Sequence, residues 1–267
     1  MGLTWSQILN AIDDLANTIV QWRLCHLLAW GDIKQRYRRS TLGPLWLSIS
    51  MAVQMAVLGF LFTTLFRLPY QRYLPYVAAG LVFWGFIQGI INEGAGAILG
   101  SAGFIIQIKR PFTIYIAQTV WRNTIVLGHN FIIYIVIAII LKVSPSSTSI
   151  WLWPLGLLLD LLCLSWVALV AAVISVRYRD FPMILQNLFT ALFWLTPIFY
   201  YPELLGNKQF LLDYNPFTHI LALARDPLLG QTPPLKSWLV VLALTVLGWT
   251  FALAFFARFR SRIVYWL

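Results

Sequence analysis

Side chains able to do acid–base, nucleophilic or metal chemistry are few in this chain and lie far apart. His26, His129 and His219 fall in three separate regions, and Cys25 and Cys163 sit in unrelated contexts, one charged and one apolar. General acid–base catalysis needs two groups that converge on one substrate, and the only adjacent carboxylates near a charged segment are Asp13 and Asp14. No two His or Cys stand four residues apart on an apolar run, so no metal site is expected. Nowhere does glycine precede Lys and then Ser or Thr as in a phosphate-cradling loop. The chain is therefore expected to be no enzyme, to hydrolyse no ATP and to carry no cofactor of its own.

Two kinds of side chain remain. Asp160 and His129 interrupt long apolar runs at matching distance from one end, which places both near mid-membrane and allows them to pair. A structural hydrogen bond between neighbouring helices is preferred over a proton relay, which wants more than one such pair. Aromatic residues are abundant, with 13 Trp, 11 Tyr and 18 Phe. Trp151, Trp153, Tyr265 and Trp266 suit interfacial belts. Phe193, Trp194, Phe199, Tyr200 and Tyr201 crowd around Pro197, where rings with polar edges either pack or line a pathway for sugars. Trp46 and Gln54, on the first apolar run, are the other candidate lining residues.

The elements that carry these groups follow from composition. Of 267 residues, 60% are hydrophobic and 10% charged, against roughly half and a quarter in soluble domains. An all-α integral membrane protein is expected, because only helices and closed barrels satisfy their backbone in lipid. Six runs approach the roughly 20 residues that a bilayer core demands. They are 42–66, 75–92, 117–141, 150–176, 181–202 and 238–257, the third reached by letting Arg122 snorkel and the fifth kinked or stopped at Pro197. Asp13 and Asp14 stand where a signal peptide needs its apolar core, so the N-terminus is expected in the cytoplasm. Met1, Gly2 and Ser6 fit the myristoylation pattern, which six spans make redundant. Thirteen Lys and Arg then fall on inner segments and six on outer ones, agreeing with the positive-inside rule. The net charge of +10 is read as topology and not as affinity for nucleic acid.

Residues 1–40 form a cytoplasmic segment. Within it Ile8, Ile12, Leu15, Ile19 and Trp22 recur at steps of four and three, an amphipathic helix expected to lie on the inner membrane surface. Docking on a soluble partner explains the same stripe. The connection 93–121 holds Gly94, Gly96, Gly100 and Gly103 before Lys109, Arg110 and Pro111, which predicts a helix break and a short helix on the cytoplasmic side. The connection 203–237 is outside yet apolar in its middle, which predicts short re-entrant helices between spans five and six. Residues 258–267 form a cytoplasmic tail.

The stretch Asp32, Ile33, Lys34, Gln35, Arg36, Tyr37, Arg38, Arg39, Ser40, Thr41, Leu42, Gly43, Pro44, Leu45, Trp46 resembles the basic segment of the membrane subunits of ABC transporters that export O-antigen, capsule or teichoic acid. Lys109, Arg110, Pro111, then Arg177, Tyr178, Arg179, Asp180, then Thr196, Pro197, Ile198, Phe199, Tyr200 and finally Asn215, Pro216 are similar in the same order. The resemblance implies a half-transporter in the bacterial inner membrane. A second copy of the chain completes the channel, and two copies of a separate nucleotide-binding subunit hold ATP and Mg. It implies that the segment from Gly103 through Lys109, Arg110 and Pro111 couples to that ATPase. It also implies that Arg36, Arg38 and Arg39 meet an acidic surface or the pyrophosphate of a lipid-linked polysaccharide, O-antigen being the first choice. An exporter subunit for a drug or lipid, and a stand-alone membrane enzyme of glycan or lipid metabolism, are the rival readings.

Overall fold

The computed structural model describes residues 4–36, 38 and 45–267, and every regular element among them is helical. In chain order these are α1 (Trp5–Val20), α2 (Trp22–Arg36), α3 (Leu45–Phe66), α4 (Tyr70–Gly100), α5 (Ala102–Gln107), α6 (Thr113–Ile140), α7 (Ser147–Arg177), α8 (Phe181–Leu195), α9 (Phe210–Asp213), α10 (Pro216–Arg225), α11 (Leu235–Phe259) and α12 (Ile263–Trp266). Short 3₁₀ turns at Pro202–Lys208 and Asp226–Leu229 join the pieces between α8 and α11. Arg39 and the expected first residues of the initial span lie outside the described residues.

Among the described residues five helices are long and apolar enough to cross a bilayer: α3, α4, α6, α7 and α11 with the turns that follow it. The expected fifth span, 181–202, is cut short. α8 stops at Leu195 after 15 residues, about 22 Å, because Pro197 offers no amide hydrogen and forces Thr196 into an extended conformation. Residues 196–201 continue without helical structure, and the apolar middle of the following connection folds into α9 and α10.

α4 is the axis of the fold. It is buried from Tyr73 to Ile98 and packs against α3, α6, α7, α8 and α10. The break expected within 93–121 falls at Ser101, where α4 ends and the short α5 begins, and Gly94 lies inside α4. Gly94 instead admits α7: a Cβ there would stand 2.7 Å from that of Ala168. Other close approaches use the same device. Gly156 of α7 lies against the backbone of Leu223, and Gly248 of α11 accepts the indole of Trp166. α7 is thereby held mainly between α4 and α11.

The first two helices form a collar at the end of the bundle that also carries α5. Thr4 and Gln7 form a capping box that starts α1, and the chain turns at Gln21 into α2, a second helix that the apolar stripe did not reveal. The stripe of α1 is not its protein-facing side. Ile12 and Ile19 are exposed, as is Trp22 at the start of α2, whereas Ala11, Asp14 and Thr18 are buried against the start of α6 and the end of α11.

Candidate functional site

Two regions gather the polar and aromatic groups that the helices position. The first is a charged junction of α2, α4 and α6. Glu93 of α4 accepts from Arg122 Nη2 at 2.9 Å and from Asn123 Nδ2 at 2.9 Å, and its other oxygen accepts from Arg36 Nη2 at 3.1 Å. Arg122 of α6 also ion-pairs with Asp32 of α2, which accepts from Gln118 Nε2 at 2.8 Å. An arginine this far inside a helical bundle is tolerated only when its charge is met, and two carboxylates meet it here. A cavity of about 760 Å³ lies beside the junction, walled by α2, the end of α4, α5 and the start of α6.

The neighbouring α5 buries none of its own residues and leaves Phe104 and Ile106 exposed. Gly103 lies within it, with no atom within 4 Å of where a Cβ would sit. Lys109 and Pro111 border a second cavity of about 380 Å³, together with Asp14 and Arg260, while Arg110 donates to Gln21 Oε1 at 2.8 Å. Asp14 is the buried anchor of this corner. It accepts from the backbone amide of Thr113 at 3.1 Å, from its hydroxyl at 2.8 Å and from Arg260 Nε at 2.8 Å. Of the three arginines expected to meet an acidic surface, Arg36 is occupied with Glu93 and Arg38 is exposed.

The second region surrounds residues 196–201. Four carbonyls at and near this stretch find side-chain partners in place of a helical ladder. Tyr73 donates to Phe199 O, the Tyr76 hydroxyl lies 2.9 Å from both Pro197 O and Tyr200 O, and Tyr200 donates to Leu195 O at 3.1 Å. The amide of Asn215, the N-cap of α10, lies 3.0 Å from Thr196 Oγ1 and reaches Leu195 O less closely. Arg225 donates to Pro197 O at 2.6 Å, sits over the Tyr76 ring at 4.3 Å and pairs with Asp226. Burial pushes the Asp226 carboxyl up, and the Arg225 guanidinium offsets part of that rise. Gly80 lets α4 approach so closely that a Cβ there would stand 2.5 Å from Ile198 O.

Rings fill the space around this strap. Phe199 stacks on Phe193 at 5.4 Å and meets Trp194 and Phe62 edge-on or tilted, while Tyr201 lies 4.6 Å from Tyr76. Phe193, Trp194, Tyr200 and Tyr201 therefore share one cluster with the end of α3. Trp46 and Gln54 do not join it. Both are exposed on α3, Trp46 sixteen residues or about 24 Å along the helix from Phe62.

His129 and Asp160 do not pair. The His129 ring bonds Ile125 O of its own helix at 2.9 Å, and neither oxygen of the buried Asp160 has a hydrogen-bond partner among the described residues. Their depths match, but α7 packs chiefly against α4 and α11 and less against α6, and no hydrogen bond joins Asp160 to His129.

Sequence reasoning gave no site role to Glu93, Tyr73, Tyr76 or the buried Arg225, named Asp32 only within the basic stretch, and let Arg122 snorkel to the interface, where it is instead ion-paired with Asp32 and Glu93. One signal was available for the charged junction: Glu93 is the only acidic residue of α4 and Arg122 the only charge of α6, and lone opposite charges on apolar helices need one another.

Comparison with known proteins gives the arrangement its context. A family model described as ABC-2 type transporter matches residues 23–229. The O-antigen export system permease protein RfbA of Myxococcus xanthus is 25% identical over 214 residues, which covers 78% of this chain and 81% of that protein. A protein of the same name from Klebsiella pneumoniae is 20% identical over 202 residues, 75% of this chain and 78% of its own length. The matched region runs from the collar through the charged junction to the strap and its buried arginine, and on that span the chain belongs to the ABC-2 type transporter family of membrane proteins.

Proposed function

We propose that this chain is the channel-forming half of an ATP-driven exporter that carries a lipid-linked polysaccharide, O-antigen by preference, across the bacterial inner membrane. Two copies pair, α8 with its strap completes the sixth crossing, both termini face the cytoplasm, and α9 with α10 dips back from the outer face. Two copies of a nucleotide-binding subunit bind ATP and Mg and dock on the collar, on α5 and on the segment through Pro111. Arg36, Arg38 and Arg39 stand at the cytoplasmic entrance for the lipid-linked end of the polymer, and lipids flank the exposed stripe of α1.

The observation that carries this reading is the unpartnered face of α3 and α8. Of the described residues of α3 only Met55 and Gly59 are buried, and α8 buries Phe189 alone, although both helices join the aromatic cluster. A single chain leaves that face open, and a second copy placed against it encloses a passage edged by rings, which stack on sugar faces and close on one another when empty.

Reconstitution with the cognate ATPase in inverted vesicles tests the reading. ATP-dependent uptake of a lipid-linked glycan is expected. Trp194→Ala, Tyr200→Ala and Tyr201→Ala should slow that uptake or make resting vesicles leaky while the ATPase still copurifies. Lys109→Glu with Arg110→Glu should weaken copurification and uptake together. Uptake of a drug or simple lipid in place of the glycan would favour the rival exporter, and ring variants that assemble, export normally and leak nothing would remove the aromatic lining.

A further inference from the structure

A third cavity, of about 770 Å³, opens at the opposite end of the bundle from the collar, between the start of α4, the loop joining α6 to α7 and the turns after α8 and α10. Its volume is that of a small-molecule site. Arg72, Lys142, Tyr201, Glu203, Gln71 and Gln231 face it. Arg72 and Glu203 both lie within electrostatic reach of the Tyr201 hydroxyl. Yet the side chains of Arg72, Lys142 and Glu203 form no ion pair and no hydrogen bond among the described residues. Two bases and an acid share one cleft without neutralising one another.

The backbone under Lys142 adds an independent observation. Val143 N donates to Ala138 O and Lys142 N to Ile139 O, the pair of bonds that closes a helix when the residue between adopts a left-handed conformation. That residue is normally glycine, and here it is Lys142 with φ of 54°. A lysine is thus held in a disfavoured conformation at the rim of the cleft, where glycine would end the helix without strain.

We propose that this cleft binds a phosphate ester bearing a hydroxyl-rich substituent. Arg72 and Lys142 take the phosphate oxygens from two sides. Glu203, Gln71 and Gln231 accept from and donate to the hydroxyls, and the ring of Tyr201, backed by Tyr76, offers a face to the apolar side of the substituent. The separation of the acid from the bases suits a ligand whose anion and donor groups are themselves apart. On the topology proposed above the cleft opens to the outer face, but the binding does not depend on that topology. A membrane lipid headgroup and a glycosyl phosphate present the same chemistry.

The test uses the full chain in phosphatidylcholine nanodiscs, with saturation-transfer NMR reporting on α-glucose 1-phosphate. Transfer to the phosphorylated sugar and not to glucose is expected. Arg72→Gln and Lys142→Gly should each weaken binding about fivefold, the scale of one exposed charge contact. Lys142→Gly relaxes the helix end, so a loss in that variant is not a loss of fold. Displacement of the probe by phosphatidylglycerol placed in the nanodisc would assign the cleft to a lipid headgroup, and failure to displace it would assign the cleft to a glycosyl phosphate. Equal transfer to glucose, or affinity unchanged in both variants, would overturn the proposal.

Discussion

Asp13 and Asp14 are chemically identical neighbours, and their environments differ completely. Asp13 is exposed, whereas the Asp14 carboxylate is enclosed by Thr113 and Arg260 and ties α1 to the start of α6 and the end of α11. Removing it strands a buried backbone amide and a guanidinium, so Asp14→Ala should cost about 1–3 kcal/mol. Asp13→Ala should stay within about 0.5 kcal/mol of the parent. Thermal unfolding in detergent micelles checks both. No sequence pattern separates the two residues, because which one is buried depends on how α1 rotates against helices nearly a hundred and two hundred and fifty positions away. The pairing expected of His129 and Asp160 failed on the same ground. Depth along a helix is countable from residue numbers at 1.5 Å each, but rotation about the helix axis is set by neighbours. Here Gly94 and Gly248 decide it by admitting Ala168 and Trp166.

At the scale of elements, the long uncharged runs were legible because the bilayer imposes one length and one composition, and α3, α4, α6, α7 and α11 all answer to them. The stop of α8 was legible in Pro197, since a proline edits the backbone locally. What followed was not, because residues 196–201 take their conformation from Tyr73, Tyr76 and Arg225 on other elements. The break and short helix expected in the 93–121 connection were legible too and fall after Gly100, whereas the use of Gly94 as a contact surface for α7 was not. The charged junction gives this scale its own prediction. Arg122 is one of the links that bind α2 to α4 and α6, beside Arg36–Glu93 and Gln118–Asp32, and Cys25 of α2 lies buried against Ile114 and Tyr115. Arg122→Gln should therefore loosen α2 while the apolar helices stay assembled. Faster reaction of Cys25 with a maleimide, at unchanged helical circular dichroism, is the expected readout. A rate equal to the parent's would mean that packing and the remaining bonds, Arg36–Glu93 and Gln118–Asp32 among them, hold α2 without Arg122.

For the whole molecule the open question is orientation. The count of thirteen basic residues inside against six outside treats every charge alike, but Arg225 is buried and paired with Asp226, so it is not a loop charge that a membrane potential reads. Arg122 is likewise paired inside the bundle. Dropping both leaves twelve against five, and the asymmetry persists. Cysteine placed at position 208 should react with an impermeant thiol reagent in intact cells, and cysteine at position 10 should not. Both native cysteines are buried, which keeps the background low. The reverse pattern would invert the molecule and move the cleft around Lys142 to the cytoplasm.

The strap at residues 196–201 has a consequence for how the chain is made. Its carbonyls are met by Tyr73 and Tyr76, which precede it in the chain, and by Arg225, which follows it, while Asn215 holds the Thr196 hydroxyl. α8 alone is too short to cross the bilayer, and the Arg225 that meets its tail lies 28 positions beyond Pro197 in the chain. A chain that stops short of Arg225 leaves the Pro197 carbonyl without that partner, so the strap is expected to settle only after α10 has joined it, later than the helices that precede it.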